Sequence, residues 1–441
     1  MALIISDLSK YVIAIFMAIY TLLAFLSLLD ISGERKDRIY TGQILCMFVV
    51  HFVAFAAICL ESSNLTYIIF YGFQQILLFA VIALFRAVYK EVDKLVLNNM
   101  CMLLAIGFVI LTRLNYSRAI RQFAIVTVSL IIGMFIPLIF KHFKYIHKFT
   151  WVFGGLGMLF LLAVLISGAV IHGAKLNYSL FGRSFQPSEF VKILFVFFIA
   201  GILAEYRNFT GIVISGLCAC IHIVILVFSK DLGSALILFV TYVMMIFAST
   251  GNLIYLGLGA AGGTAAGFIG AKLFSHVRVR LEAWLDPWNN IDSTGYQITQ
   301  SLFAIGTGGW FGMGLYQGDP TSIPYVEEDF IFSAVAEEMG VFFSICLILV
   351  CLSCFISFMK LAINFRNVYY RLITVGLAVV YMFQIFLTIG GGTRLIPLTG
   401  VTLPLISSGG SSILTTIILF SLIQGFNVLQ AEEKERYEEE Y

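Results

Sequence analysis

Apolar residues in this 441-residue chain come in long unbroken runs, with little of the alternation that marks a half-buried helix or strand. Thirteen of the runs approach the roughly twenty residues that a helix needs to cross about 30 Å of hydrocarbon. They cover 9–29, 39–60, 65–89, 95–112, 122–140, 149–171, 188–204, 209–228, 232–249, 251–274, 329–359, 372–390 and 411–430. The run from 329 is longer than a bilayer requires, so a straight helix there must tilt or project. The first run carries Asp7 before Lys10 and has no small-residue cleavage site, so it reads as a retained helix and not a removable signal. The pattern predicts an all-α polytopic membrane protein with about 13 transmembrane helices. It breaks once on a large scale, over about fifty polar residues from 275 to 328, where Asp286, Asp292, Asp319, Glu327 and Glu328 lead up to Asp329.

Composition sharpens this picture. The chain is 60% hydrophobic and 12% charged, with a mean hydropathy of +0.97, where a soluble domain carries roughly a quarter charged residues. A balance of 27 basic against 25 acidic side chains gives +2, which offers no field for a nucleic acid. The eight cysteines all fall inside apolar runs and read as small core residues. Basic residues in the short loops favour an outside N-terminus and a cytoplasmic C-terminus with a short acidic tail, 431–441. That orientation leaves Arg113, Arg118, Arg121, Lys175, Arg183, Lys192, Lys230, Arg278, Arg280 and Arg394 near the outer polar segments. Cations kept there against the usual bias suit an anionic ligand, or snorkel to lipid phosphates.

Several outer segments carry candidate chemistry. Pro187 and Ser188 open a helix on which Glu189 and Lys192, three residues apart, share a face; the pair either neutralises itself for burial or lines a polar cavity. Asp231 follows Lys230 in a tight turn, where it caps the next helix or lines the same cavity. Gln297, Gln300, Ser301 and Ala304 make one stripe of a short helix whose other side carries Ile298, Leu302 and Ile305, which predicts a helix lying along the membrane surface with its polar stripe towards a substrate or water. Gly306, Gly308, Gly309, Gly312 and Gly314 fit neither a dinucleotide fingerprint nor a phosphate loop. Asp329 begins an apolar run: desolvation and its acidic neighbours raise its pKa while a helix N-terminus favours the anion. It serves as a general base or as an ordinary first-turn acid.

The motifs QPSEFVK, KDLGSAL, DPWNNIDSTGYQITQSLFAIGTGGWFGMGL, IPYVEEDFIFSAVAEEMG and IPLTGVTLPLISSGGSS, in this order, closely resemble those of the SEDS (FtsW/RodA/SpoVE) family. The resemblance covers about 95 to the C-terminus. It implies a ten-helix core, 95–441, behind about three extra N-terminal helices in 1–94, with the large extracytoplasmic loop at 275–328. It implies an inverting peptidoglycan glycosyltransferase of the bacterial plasma membrane, which polymerises lipid II beside a class B penicillin-binding protein in division, elongation or sporulation. The essential family aspartate falls on Asp329. Glu189, Lys192, Asp231, Arg278, Gln297, Gln300, Ser301, Arg394 and Ser411 are the candidate substrate-binding positions, with Mg or Mn as an open candidate cation. The pattern departs from the family at Tyr325, Glu328, Thr388 and Ser408, and lacks a usual Lys between Gly312 and Glu328. A lipid II flippase and a non-catalytic scaffold for a transpeptidase are the rival readings.

Topology is testable directly. A cysteine at Ser322 should react with an impermeant thiol reagent in intact cells and one at Asn364 should not; the reverse labelling would invert the orientation.

Overall fold

The computed structural model describes residues 2–440, except 30, 31, 63, 65, 143–145, 172, 173, 181, 182 and 207. Ten helices precede the large loop: α1 (Ala2–Ser27), α2 (Gly33–Ser62), α3 (Thr66–Val88), α4 (Lys94–Leu114), α5 (Tyr116–His142), α6 (Thr150–Ser167), α7 (Pro187–Glu205), α8 (Phe209–Phe228), α9 (Leu232–Thr250) and α10 (Ile254–Leu273). The loop itself carries α11 (Ser275–Leu285) and α12 (Tyr296–Gly308), and α13 (Ile331–Asn364), α14 (Val368–Gly392) and α15 (Gly410–Glu440) follow it. Thirteen of these are long and apolar enough to cross a membrane, all but α11 and α12.

One apolar run is shorter as a helix than its sequence implies. The run at 149–171 ends at Ser167, and the chain then forms an antiparallel sheet of β1 (Ala169–Ile171), β2 (Ala174–Leu180) and β3 (Arg183–Phe185) in that order. Ala169 pairs with Asn177 and Tyr178 with Phe185. Val170 and Ile171 are β-branched, and so fit a pleat at least as well as a helix.

Burial places the centre of the molecule at α4, whose hydrophobic window has no residue facing outward. It is walled by α2, α3, α5 and α13. The N-terminal helices are therefore packed into the body, and polar links join them to it. Tyr20 donates to Asn99 Oδ1 at 2.9 Å, and Asn99 in turn donates to Ser353 at 2.8 Å. Arg86 and Gln43 both engage Asn98. Without water in the hydrocarbon, such buried groups need protein partners. At the other extreme, α10 has no buried residue and packs mainly on α9 and α11.

The long α13 solves its excess length by breaking. Gly340 has φ 88° and ψ 165°, and a Cβ there would lie 2.4 Å from the Gly312 amide nitrogen, so only glycine fits. The break frees backbone groups, and the loop takes them up. The amides of Met313 and Gly314 donate to the Glu337 and Glu338 carbonyls at 2.9 Å, while those of Val341 and Phe342 donate to Gly309 and Trp310 at 2.9 and 3.1 Å. Residues 331–339 become a buried half-helix with Asp329 just before its N-terminus.

Candidate active site

The site is assembled round an extended segment, 398–402, whose carbonyls are taken by side chains from different helices. Arg280 of α11 donates to Leu398 at 3.2 Å, Thr388 of α14 to Val401 at 2.9 Å and Gln384 of α14 to Thr402 at 3.1 Å. Gly400 has φ 75°; a Cβ there would meet Asp329 Oδ2 at 3.5 Å and Arg280 Nη2 at 3.9 Å. The absent side chain leaves room between the carboxylate and the guanidinium.

Asp329 keeps part of its surface open although protein atoms crowd round it; the recess is the space beside it, next to Gly400 and Arg280. Burial and the Glu328 charge push its pKa up to about 6, against the pull of Arg280. Arg280 feels both Asp329 and Asp231, but it makes no ion pair within 4.0 Å with either. Its neighbour in sequence, Arg278, is exposed and bonds the carbonyls of Ala271 and Lys272 at the end of α10. Two residues on a helix are about 200° apart, so only one of the two can face the recess. Arg280 therefore takes the place expected for Arg278.

Beside this recess lies a buried polar seam. Lys192 bonds Glu189 Oε2 at 2.8 Å and Gln384 Oε1 at 2.7 Å, and Thr415 donates to the same Glu189 oxygen at 3.3 Å. Asp231 caps α9 through the Ser234 amide, as one of its two expected roles requires, and accepts from Ser188 at 2.7 Å. Ser411 accepts the Gln186 amide at 2.9 Å, which ties the start of α15 to the start of α7. Gln384 joins the seam to the 398–402 segment; no motif pointed to it.

Other candidates hold the scaffold. Arg394, at φ 60°, donates to Trp284 O and Leu285 O at the end of α11, and Trp284 returns a bond to the Arg394 carbonyl. The clamp fixes α11, and with it Arg280. The stripe on α12 faces neither a substrate nor water at Ser301 and Ala304, which are buried against the protein: Ser301 bonds Ser333 at 2.6 Å and Gly392 O at 2.7 Å. Gln297 and Gln300 are half-buried beside them, and Phe303 is exposed. The docking surface on α13 outweighs the helix's weak polarity.

The departures also have local accounts. Glu328 pairs with Arg118 at 2.6 Å, Thr388 holds Val401, and the Ser408 amide donates to Glu327 O at 2.7 Å. Tyr325 is exposed at φ 59°. Among the described residues no three His, Cys, Asp or Glu side chains converge as metal ligands.

The raised pKa makes Asp329 a cost to folding. Below about pH 4 both folded and unfolded chains hold the proton; above about 6 the folded state carries the anion at a penalty of at most about 3 kcal/mol, less for its remaining solvent contact. Asp329→Asn should therefore unfold at a higher temperature than wild type at pH 7.5, with the gap closing towards pH 4. A variant that melts lower throughout would contradict the burial of the charge.

Comparison with known proteins agrees with this architecture. The family model described as cell cycle protein, FtsW/RodA/SpoVE, matches residues 93–432, a range that holds ten of the thirteen candidate spans. The chain is 31% identical to the peptidoglycan glycosyltransferase RodA of Mycobacterium tuberculosis, over 86% of this chain and 88% of that one. It is 34% identical to the stage V sporulation protein E of Bacillus subtilis, over 59% and 74%. Its fold matches a chain from a structure described as a peptidoglycan synthase complex coordinating polymerization and crosslinking, with a TM-score of 0.65 and 23% identity over 77% of this chain and 98% of that one. Thermus thermophilus RodA matches with a TM-score of 0.56 and 22% identity, over 76% and 96%. A half-broken α13 that delivers an aspartate to a recess thus sits on a known scaffold, and the chain belongs to the FtsW/RodA/SpoVE family.

Proposed function

We propose that this protein is a peptidoglycan glycosyltransferase that polymerises lipid II at the outer face of the bacterial plasma membrane, with Asp329 as its general base. The observation that carries the reading is a partly open carboxylate with a pKa near 6, facing a guanidinium that it does not touch. A base poised near the working pH is largely ionised at neutrality yet still basic enough to take a proton.

In the reaction, two polyprenyl diphosphate-linked disaccharides meet in the recess. The Asp329 carboxylate accepts the proton of the acceptor 4-hydroxyl as that oxygen bonds to the donor's anomeric carbon. The bond from that carbon to the diphosphate breaks on the opposite face, so the configuration inverts and undecaprenyl diphosphate leaves. Negative charge builds on the departing oxygen, and Arg280 is the cation best placed to meet it. Lys192 is already compensated by Glu189 and shapes the wall. A Mg or Mn ion would arrive with the diphosphate. The unburied α10 leaves the α11 side of the recess facing lipid, a route by which a polyprenyl tail can stay in the bilayer. A class B penicillin-binding protein is the partner that would crosslink the strand.

The test is polymerisation of lipid II by purified protein, alone and with a candidate class B partner, with glycan length read on a gel. Wild type should make strands. Asp329→Asn, at equal folded amount, should lose about 10²- to 10⁴-fold, whereas Glu327→Gln should stay within a few-fold. Normal strands from Asp329→Asn would remove the base; no strands from wild type, with lipid II translocated into vesicles instead, would favour the flippase.

A further inference from the structure

Arg113 and Glu338 take no part in the step above, yet they form one of the most deeply shielded ion pairs among the described residues. Glu338 closes the half-helix 331–339, whose other end adjoins Asp329 about 13 Å away. Its Oε1 receives Arg113 Nε at 2.8 Å and the Tyr316 amide at 3.1 Å. Arg113 also donates to Gly318 O at 3.1 Å and lies 4.2 Å from the centre of the Tyr316 ring. Glu337 takes the Asp319 amide on Oε1 at 2.8 Å, while its Oε2 is buried with no hydrogen-bond partner.

These contacts gather at one end of a rigid rod. The helix break at Gly340 isolates that rod from the rest of α13, so its register is not inherited from the membrane-spanning part. It is set by what the rod touches, the Ser301–Ser333 bond on its flank and the loop pinned at its far end, and a rod that slips at Glu338 carries Asp329 with it.

We propose that Arg113 and Glu338 are positioning residues, which lock the 309–319 loop onto the helix break and thereby hold Asp329 at its working distance from Arg280. The proposal rests on the reading of Asp329 as the base. The charged groups round Asp329 are Glu328 on its own segment, Arg280 from α11 with Asp231 of α9 behind it, and Arg118 of α5, which engages Glu327 and Glu328. Arg113 contacts none of them, so its loss reaches Asp329 through geometry.

The experiment compares Arg113→Met, Arg113→Lys and the double variant Arg113→Met with Glu338→Met, each per folded molecule, by kcat, KM for lipid II and the pH dependence of the rate. The double variant removes both partners of the ion pair, so it avoids the lone buried Glu338 carboxylate that Arg113→Met alone leaves. Displacement of the base by about an ångström is expected to lower kcat about 10²-fold with KM held within a few-fold. The acid limb of the pH profile should move upward as Asp329 draws away from Arg280, and Arg113→Lys should recover part of the loss. Wild-type kcat and an unmoved acid limb in the folded double variant would overturn the proposal. Inactivity of Asp329→Asn alongside that result would defeat this inference alone, whereas an active Asp329→Asn would defeat the catalytic reading beneath it.

Discussion

Backbone at membrane depth must find its hydrogen bonds within the protein, and this constraint shapes the half of the molecule that carries Asp329. Two of the non-helical segments among the described residues there are the loop before Ile331 and the stretch between α14 and α15. The first is satisfied by the break in α13, through the amides and carbonyls flanking Gly340. The second is satisfied by side chains: Arg280, Thr388 and Gln384 on its extended part, and Gln122 of α5 on the Ser407 carbonyl and the Gly409 amide. An interior polar enough to do this can also hold a charged substrate. The recess and the means of tolerating irregular backbone are one construction.

Charge follows the same logic at higher stakes, because an uncompensated buried ion costs several kcal/mol. Lys192 with Glu189 and Arg113 with Glu338 each neutralise within the protein. Asp329 is not paired in this way: Arg280 is near enough to favour the anion and too far to pair with it. Its stability cost is the counterpart of its basicity. A carboxylate fully paired with arginine would fold more comfortably and accept a proton less readily.

The thirteen spans were legible because length in hydrocarbon is a one-dimensional property. Asp329 was legible as an acid at the head of an apolar run, and the Glu189–Lys192 pair as an i,i+3 spacing. What sequence could not supply was rotation about helix axes. Arg278 and Arg280 are equivalent on paper, and tertiary contacts decide between them: Arg280 reaches Leu398 O, Arg278 bonds the end of α10, and Arg394 clamps the end of α11. The α12 stripe was legible only as a face for a related reason: its four polar and small residues did not name a partner, and α13 with Ser333 takes part of it. Gly340 reads as an ordinary tolerated glycine within a helix until its positive φ and the approach of Gly312 are seen. Gln384 lay unmarked in an apolar run because its role is tertiary, bridging Lys192 to the Thr402 carbonyl.

The central claim is that Asp329 acts as a base whose pKa is set by burial, by Glu328 and by Arg280. The pH dependence of lipid II polymerisation, measured for wild type and for Arg280→Gln, tests it most directly. The account predicts a wild-type rate that rises with pH through a midpoint near 6, and a midpoint displaced upward in Arg280→Gln, where the cation favouring the anion is gone. A rate independent of pH between 5 and 8 (roughly the span over which such a base titrates), or a midpoint that ignores Arg280, would contradict it.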